Sequence, residues 1–351
     1  MSNYSNLDLQ KLRLYNNGLI DKFENADVCV ESLIGIQSQY QNYALISIYN
    51  RTIHKCDIFN NNNLIKSWGQ RTTLHIYHKK DYNLISNLYC QSDNWVYKYA
   101  KHLKIDYNKY LNSIHDFLYR NNKNTIEKSE IENIIPKYKS KEIMSWSGLL
   151  ILATYHKLLY GILNEEDKKL YKQNDIVDCK KINSDLIYRY FNYYGPATMQ
   201  DFLHWSGLKY KEIKKDLDNY IKKAKYISIN NKKYYYESLP DIKNIKISYP
   251  IILGKFDPLL ISYSDKEWIL NGKNKTIIWK AAGQIEGVIL FSKGLKGTWH
   301  YSLKENIMIF QINVIISLSK GEKNRLEKKF VKIGKELFQR EIVIVYQGGK
   351  E

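Results

Sequence analysis

Gln37 and Gln39 are separated by a single serine, and their type and spacing are the first in the chain to suggest shared chemistry. Residues two apart in a helix are rotated by about 200°, so both side chains could not face one pocket there. Ser38, however, begins a Ser-x-x-Gln capping box, which predicts that a helix starts at Ser38. With Ser38 as the cap, Gln37 lies just outside the helix and Gln39 is its first residue. Both amides could then converge at the helix entrance.

A pair of glutamines can perform only some kinds of chemistry. A neutral amide donates and accepts hydrogen bonds but cannot act as a general base. The pair could therefore hold a water molecule or a polar ligand, but it could not take up a proton. The alternative is that Gln37 and Gln39 are merely exposed polar residues.

Two groups of lysines could bind an anionic partner. The predicted helix 209–223 has a basic face, for which a solvated helix surface is the alternative interpretation. Its lysines are Lys209, Lys211, Lys214, Lys215, Lys222 and Lys223. The segment 288–299 predicts a β-hairpin with its tip at 292–297, where Lys293 and Lys296 lie. A narrow, basic ribbon can enter a groove of a nucleic acid, although a plain surface hairpin fits the same residues.

Other reactive residue types predict structure rather than catalysis. Asp257 precedes Pro258, so its carboxylate is expected to cap a turn. His75 and His78 lie three residues apart on a predicted strand, so their side chains point to opposite faces. The four cysteines are far apart and form no Cys-x-x-Cys, which argues against a zinc knuckle or a disulfide scaffold. We therefore expect no metal and no cofactor.

The charge balance of the chain is strongly basic. Among 351 residues, Lys and Arg number 54 and Asp and Glu number 36, a net charge of +18. This excess favours a polyanionic partner: nucleic acid, an acidic membrane surface or an acidic protein. The abundance of Lys, Asn, Ile and Tyr also fits AT-rich codons, which would raise the lysine count without any function.

No segment predicts insertion into a membrane. The first residues lack the apolar core of a signal peptide. The longest aliphatic run, Leu149–Ala153, is far shorter than the roughly 18 residues of a membrane span. We expect a cytoplasmic protein.

The elements that would position these residues follow the order of winged helices. Helices predicted at 6–19, 27–34 and 38–50 precede a strand predicted at 69–77. The middle of the chain is mostly helical, with helices predicted at 126–135 and 149–163. Later, three helices precede a hairpin, which is the plan of a winged helix-turn-helix. These are the helices 185–194, 199–205 and 209–223 and the strands 226–229 and 233–236.

Beyond Pro240 the sequence favours strands. They are predicted at 245–253, 277–279, 287–291, 298–303 and 307–316, and a helix at 320–340 and a strand at 342–346 follow. The fold class is therefore α+β, with tandem winged helix-turn-helix motifs followed by a β-rich C-terminal domain. We place an N-terminal winged helix at 1–85, a mostly helical second unit at 86–180, a third winged helix at 181–240 and the β-rich domain at 241–351.

Six short segments, in this order, resemble the winged-helix DNA glycosylases of the AlkZ/YcaQ type. The resemblance covers nearly the whole chain. The segments are Arg13-Leu14 to Gly18-Leu19; Gly35-Ile36-Gln37-Ser38-Gln39 with Arg51; Arg71-Thr72-Thr73-Leu74-His75; Tyr194-Gly195-Pro196-Ala197-Thr198 to Trp205-Ser206-Gly207-Leu208; Phe256-Asp257-Pro258-Leu259-Leu260; and Gly294 to Gly297-Thr298-Trp299. Two positions depart from the family pattern. Asn17 stands where Gln is usual, and Lys266 stands where the family often has an Arg after the Asp-Pro-Leu-Leu segment.

The resemblance implies a function and roles for particular residues. The family removes alkylated or crosslinked purines from DNA, and its Gln-x-Gln or Gln-x-Asp catalytic pair maps onto Gln37 and Gln39. Asp257 is a candidate for orienting this pair or for acting as a fixed charge beside a cationic sugar. The residues expected to contact DNA are Lys214, Lys215, Lys293, Lys296 and Arg71. The expected partner is double-stranded DNA containing such purines, bound by a monomer.

Two other classes of protein fit the same elements. One is a non-enzymatic winged-helix DNA-binding or transcription regulatory protein. The other is a self-resistance protein that binds alkylated DNA without cutting it. Abasic product from alkylated DNA would distinguish an enzyme from both.

Overall fold

The computed structural model describes residues 4–54, 58–91, 93–136, 141–177 and 183–348. The chain forms two compact units, of which the first combines residues 1–56 with 184–351 and the second comprises residues 57–183. The first unit therefore joins two distant parts of the chain. Helices and strands are mixed, as the α+β prediction requires. The division into four domains at residues 85, 180 and 240 stays a prediction.

Three helices open the first unit: α1 (Asn6–Asn16), α2 (Ala26–Ser32) and α3 (Gln41–Arg51). A two-residue strand, β1 (Ile36–Gln37), separates α2 from α3. The helix predicted to reach Leu19 ends earlier, before Gly18, whose φ of +78° favours glycine. A Cβ on Gly18 would also lie 2.3 Å from the ring of Phe23, so a larger residue would displace that ring.

The second unit combines a sheet with helices. Its strands are β2 (Leu64–Trp68), β3 (Leu74–His78), β4 (Thr125–Glu127), β5 (Leu159–Gly161) and β6 (Leu170–Gln173), which pair antiparallel in the order β3-β2-β5-β6-β4. Its helices are α4 (Tyr82–Tyr89), α5 (Trp95–His102), α6 (Tyr107–Arg120), α7 (Lys128–Ile134) and α8 (Gly148–Tyr155). Every residue of α8 is buried, so this helix forms the centre of the unit.

Two predicted elements of the second unit are shorter in the structure. The helix predicted at 149–163 ends at Tyr155, because the chain turns through Lys157, at a φ of +56°, and then enters β5. The strand predicted at 69–77 is interrupted by a 3-10 turn, Gln70–Thr72, because Arg71 and Thr72 both have positive φ. Periodicity alone could not show either reversal of the chain.

The next part of the first unit has the element order predicted for residues 185–237. Helices α9 (Asn183–Tyr193), α10 (Met199–Ser206) and α11 (Tyr210–Lys223) are followed by a hairpin of β7 (Lys225–Ile229) and β8 (Lys232–Tyr236). Aromatic rings fill the space between α9 and α10, where Tyr190 lies 4.9 Å from Trp205 and 5.3 Å from Phe202 between ring centroids. That the helices and hairpin form a winged helix stays a prediction.

The C-terminal part of the chain builds a five-stranded sheet in the order β13-β12-β11-β10-β9. The strands are β9 (Ile251–Leu253), β10 (Gly287–Phe291), β11 (Gly294–Lys304), β12 (Ile307–Val314) and β13 (Glu341–Gln347). Helix α14 (Lys320–Phe338) connects the parallel strands β12 and β13. Short helices α12 (Pro258–Ile261) and α13 (Glu267–Leu270) precede β10. The core of this part packs Trp299, Phe310 and Phe330 against one another at centroid distances of 4.6 to 5.7 Å.

Three predictions for this region need correction. The strand predicted at 245–253 is confined to β9, and a 3-10 helix, Lys275–Ile277, overlaps the strand predicted at 277–279. The hairpin at 288–299 is present, but Phe291 pairs with Gly294, so Ser292 and Lys293 alone form the turn. The predicted tip at 292–297 is therefore too long, because Gly294 to Gly297 belong to β11. Among the described helices, none combines the length and apolar character that crossing a bilayer requires.

Candidate active site

The Gln37-Ser38-Gln39 segment lies between α2 and α3. The chain leaves α2 through Ile34 and Gly35, both at positive φ, and the Gly35 amide donates to the Val30 carbonyl over 3.0 Å. The helix predicted at 27–34 therefore ends earlier, at Ser32 with Leu33 as its C-cap, and Gly35 lies beyond its end. Gln37 then completes β1 and is 6% exposed, Ser38 is buried, and Gln39 is exposed. The two glutamines therefore lie at different depths on either side of a buried serine.

The predicted capping box at Ser38 is wrong. Helix α3 begins at Gln41, and its N-cap residue is Tyr40, which makes no side-chain capping bond. The buried Ser38 hydroxyl has no hydrogen-bond partner among the described residues. Gln39 is consequently outside the helix rather than its first residue. Three residues, Ser38 to Tyr40, connect β1 to α3, and of these Gln39 and Tyr40 form an exposed turn.

Tyr40 presents an aromatic ring directly after Gln39. The ring is 43% exposed and stacks on Phe256, with 5.8 Å between centroids and 23° between planes. Its hydroxyl donates to the Gln284 amide oxygen over 3.2 Å, and its edge contacts Tyr43 at 6.4 Å. Neither the Gln motif nor the charge pattern indicates this residue. The only sequence signal is an aromatic side chain at the polar start of a helix.

Helix α3 is anchored by a buried ion pair at its other end. Arg51 donates to both oxygens of Asp257, over 2.8 and 2.7 Å, and both side chains are fully buried. Asp257 also accepts from the Ser47 hydroxyl over 2.9 Å and from the Leu259 amide over 3.0 Å. Burial lowers the pKa of Arg51, but the Asp257 carboxylate outweighs that effect and raises the pKa above its usual value.

These contacts define what Asp257 does. It caps α12 through the Leu259 amide, which confirms the turn-capping interpretation, and it fixes α3 through Arg51 and Ser47. Because its two oxygens are occupied by four protein donors in a fully buried setting, it does not face a ligand. That it orients Gln37 and Gln39, through the position of α3, stays a prediction.

Both departures from the family pattern serve structural contacts. Asn17 accepts from Arg51 Nε over 3.0 Å and from Arg51 Nη2 over 2.7 Å, which extends the buried network. Lys266 donates to the carbonyls of Leu260 and Tyr263. The two substitutions therefore lie in the frame that supports the site rather than at the Gln pair.

The lysines expected to contact DNA differ in their surroundings. Lys214 and Lys215 are exposed on α11; Lys215 lies opposite the buried residues Ile213 and Leu217, and Lys214 lies beside them. Lys293 is exposed in the two-residue turn. Lys296 instead lies in β11 and forms a salt bridge with Glu322 at 2.7 Å, with its side chain only 12% exposed.

Arg71 and the two histidines belong to the second unit. Arg71 is half-buried at a φ of +55°. His75 and His78 are buried on β3, where His75 Nδ1 lies 2.8 Å from the Thr73 carbonyl. Burial lowers the pKa of His75 to about 3, so the ring is neutral. Within the residues that the structure describes, no three His, Cys, Asp or Glu side chains are grouped as a metal site.

A family model and a solved structure both match this chain. The family model described as DNA glycosylase AlkZ-like matches residues 30–332. The solved structure of the Streptomyces sahachiroi DNA glycosylase AlkZ superposes with a TM-score of 0.75 over 99% of this chain and 100% of that chain, at 15% identity. At that identity the superposition shows a shared fold. No curated protein matches the sequence.

Proposed function

Because the chain belongs to the AlkZ-like family of DNA glycosylases, we propose that it hydrolyses the N-glycosidic bond of cationic alkylated purines in double-stranded DNA. The family match carries this proposal, since residues 30–332 include both glutamines and the segment from Phe256 to Leu260. N7-alkylguanine is the substrate type that fits best. Interstrand crosslinks made through the same purine nitrogen form a second substrate class.

The chemistry of the lesion explains how two neutral amides can suffice. An N7-alkylguanine is cationic, so its glycosidic bond is already weakened and the base leaves as a neutral molecule. The enzyme must then position a water and stabilise a sugar with oxocarbenium character. Amide oxygens accept hydrogen bonds from the water, and their dipoles favour a nearby cation. Positioning and preorganised dipoles supply the acceleration without a general base.

Gln37 and Gln39 divide this task in our proposal. Gln37 is buried at the end of β1, where its surroundings restrict its rotamers, and Gln39 is exposed on the turn that follows. The attacking water is held between them at the anomeric carbon. The exposed position of Gln39 supports a site open to the groove, which a bulky crosslink could enter without being flipped out of the helix.

The product of the proposed reaction is an intact abasic site. The chain acts as a monofunctional glycosylase and as a monomer in the cytoplasm. Neutral bases such as uracil are poor substrates, because the two amides of the pair cannot protonate them as leaving groups. The exposed Lys214, Lys215 and Lys293, together with Arg71, supply contacts to phosphates.

The deciding experiment incubates the protein with three duplexes. One contains N7-methylguanine, one an interstrand crosslink through N7 of guanine, and one uracil; abasic sites are scored by alkaline strand cleavage. We expect abasic product from the first two and little from the third. Tight binding of alkylated DNA without abasic product would instead favour the non-enzymatic DNA-binding protein.

A further inference from the structure

Tyr40 is placed to contact the base while Gln39 contacts the sugar. The two residues are neighbours on one exposed turn. A nucleotide whose anomeric carbon lies at Gln39 therefore brings its base close to the Tyr40 ring. We propose that the face of Tyr40 binds the positively charged purine and selects it over neutral bases. This inference rests on the proposed function.

The ring is held ready for such a contact. Phe256 covers one face at 5.8 Å between centroids, while 43% of the side chain stays exposed. The hydrogen bond from the hydroxyl to Gln284 fixes the rotation of the ring. A side chain already fixed by two contacts loses little conformational entropy on binding.

Phe256 is itself held in an unusual backbone conformation. Its φ is +56°, a region that a bulky residue rarely occupies and that costs energy to maintain. The next residue, Asp257, is fixed by Arg51 and Ser47, and these buried bonds keep Phe256 under Tyr40. The support of the ring is thus part of the rigid frame of α3.

The chemistry of the ring matches the charge of the lesion. An aromatic face attracts a cation, and the attraction increases in a partly desolvated site. An N7-alkylguanine is a flat cation that, once it leaves the base stack, can stack on such a face, whereas a crosslinked purine stays in the groove. Unmodified guanine has the same planar ring system without the N7 substituent and its charge, so the ring face discriminates between the two by charge.

The segment that holds Gln284 supplies positive charge at the surface. Lys275 and Lys280 are exposed, and neither forms an ion pair with a described residue. The Tyr40 hydroxyl is bonded to Gln284, four residues after Lys280. Phosphates drawn to these lysines would place the duplex beside the ring, so the occupant we infer is a nucleotide of DNA.

The test measures preference rather than cleavage. Two duplexes carry 2′-fluoro sugars that resist hydrolysis, one with N7-methylguanine and one with guanine, and their dissociation constants are compared. We expect the wild-type protein to prefer the cationic duplex and Tyr40→Ala to lose roughly 10-fold of that preference. Tyr40→Trp should preserve or increase it, and Gln284→Ala should reduce it less than Tyr40→Ala does.

Controls separate this inference from a structural role and from the proposed function. Tyr40→Leu keeps an apolar cover on Phe256 without an aromatic face, so it should fold like the wild type and bind like Tyr40→Ala. Tyr188→Ala removes another exposed tyrosine, 50% exposed on α9, and should change nothing. Gln39→Ala should lose excision but retain the binding preference.

The outcomes are distinct. An unchanged preference in a folded Tyr40→Leu protein, or no preference in the wild type, overturns the assignment of Tyr40. Loss of preference in Tyr40→Ala alongside a wild-type protein that forms no abasic sites would support Tyr40 as the lesion-binding residue and reject the proposed reaction.

Discussion

At the scale of single residues, the different depths of Gln37 and Gln39 predict different effects of truncation. Each of Gln37→Ala and Gln39→Ala should lower the single-turnover rate of N7-methylguanine excision by about 100-fold, since each removes a preorganised dipole. Only Gln37→Ala should also destabilise the fold, because only Gln37 is buried. Gln91→Ala, at an exposed glutamine of the second unit, is the control. Near-wild-type rates in both variants would remove the pair from the mechanism.

The buried pair of Arg51 and Asp257 predicts a large stability effect. Asp257→Asn leaves the Arg51 charge buried without its partner, and the free energy of unfolding should fall by about 3–5 kcal/mol. Urea denaturation measures the change. Asp265→Asn breaks an exposed pair with Lys232 and should cost about 0–1 kcal/mol. Equal effects of the two substitutions would contradict the role assigned to Asp257.

His75 predicts how stability depends on pH. Burial lowers its pKa to about 3 from an ordinary value of 6.5, so between these values the unfolded chain binds a proton that the folded chain does not. Stability is therefore lost as pH falls from 6.5 toward 3, and above 6.5 His75 adds no pH dependence. Urea unfolding at pH 7, 5 and 4 should show a weaker acid dependence in His75→Gln than in the wild type. His115→Gln, at an exposed histidine, should keep the wild-type slope.

At the scale of elements, the hairpin of β10 and β11 gives different surroundings to Lys293 and Lys296, which were both predicted to lie in its tip. Lys293 is exposed in the turn, whereas Lys296 is bound to Glu322. Lys293→Ala should weaken DNA binding and reduce the slope of log K against log salt by about 1. Lys296→Ala should change that slope much less, and the comparison is a salt titration of binding. Equal slopes for Lys293→Ala and wild type would show that the turn does not touch DNA.

Elements with a regular pattern were predictable from the sequence, and their ends were not. The spacing of Ile213 and Leu217 predicts α11 because it reflects a single buried face, and the β-forming residues of 307–316 predict β12. The ends depend on residues of ordinary type in left-handed conformations, such as Lys157, Arg71 and Phe256. Tertiary packing imposes those conformations, and the intrinsic backbone preferences of these residue types do not predict them.

The candidate site was predicted in part for the same reason. The Gln37-Ser38-Gln39 motif was visible in the sequence, but its helix cap was misassigned because Ser38 is buried instead of capping α3. Tyr40 contacts Phe256 and Gln284, each of which lies more than 200 residues further along the chain. Such a contact is a property of the fold, and spacing along the chain carries no information about it.

At the scale of the whole molecule, the division of the chain between the two units predicts which fragments fold on their own. Residues 1–56 supply α3, whose Tyr43 packs on Trp299 at 5.4 Å and whose Arg51 binds Asp257. Deleting residues 1–56 should therefore prevent the C-terminal sheet from folding. Residues 57–183 have their own buried helix and sheet and should fold alone. Circular dichroism and thermal unfolding of fragments 57–183 and 184–351 test both expectations. A folded fragment 184–351 would contradict the need for residues 1–56.

The packing of the C-terminal sheet and helix on α3 has a consequence for protein synthesis. On the ribosome, α3 emerges well before the strands and the helix that cover it, which extend to Phe338. At a synthesis rate of about 5–20 residues per second, the apolar face of α3 stays uncovered in the nascent chain for tens of seconds. The second unit can fold during that interval. Chaperones that bind exposed hydrophobic segments should therefore bind the nascent chain at α3 until α14 leaves the exit tunnel.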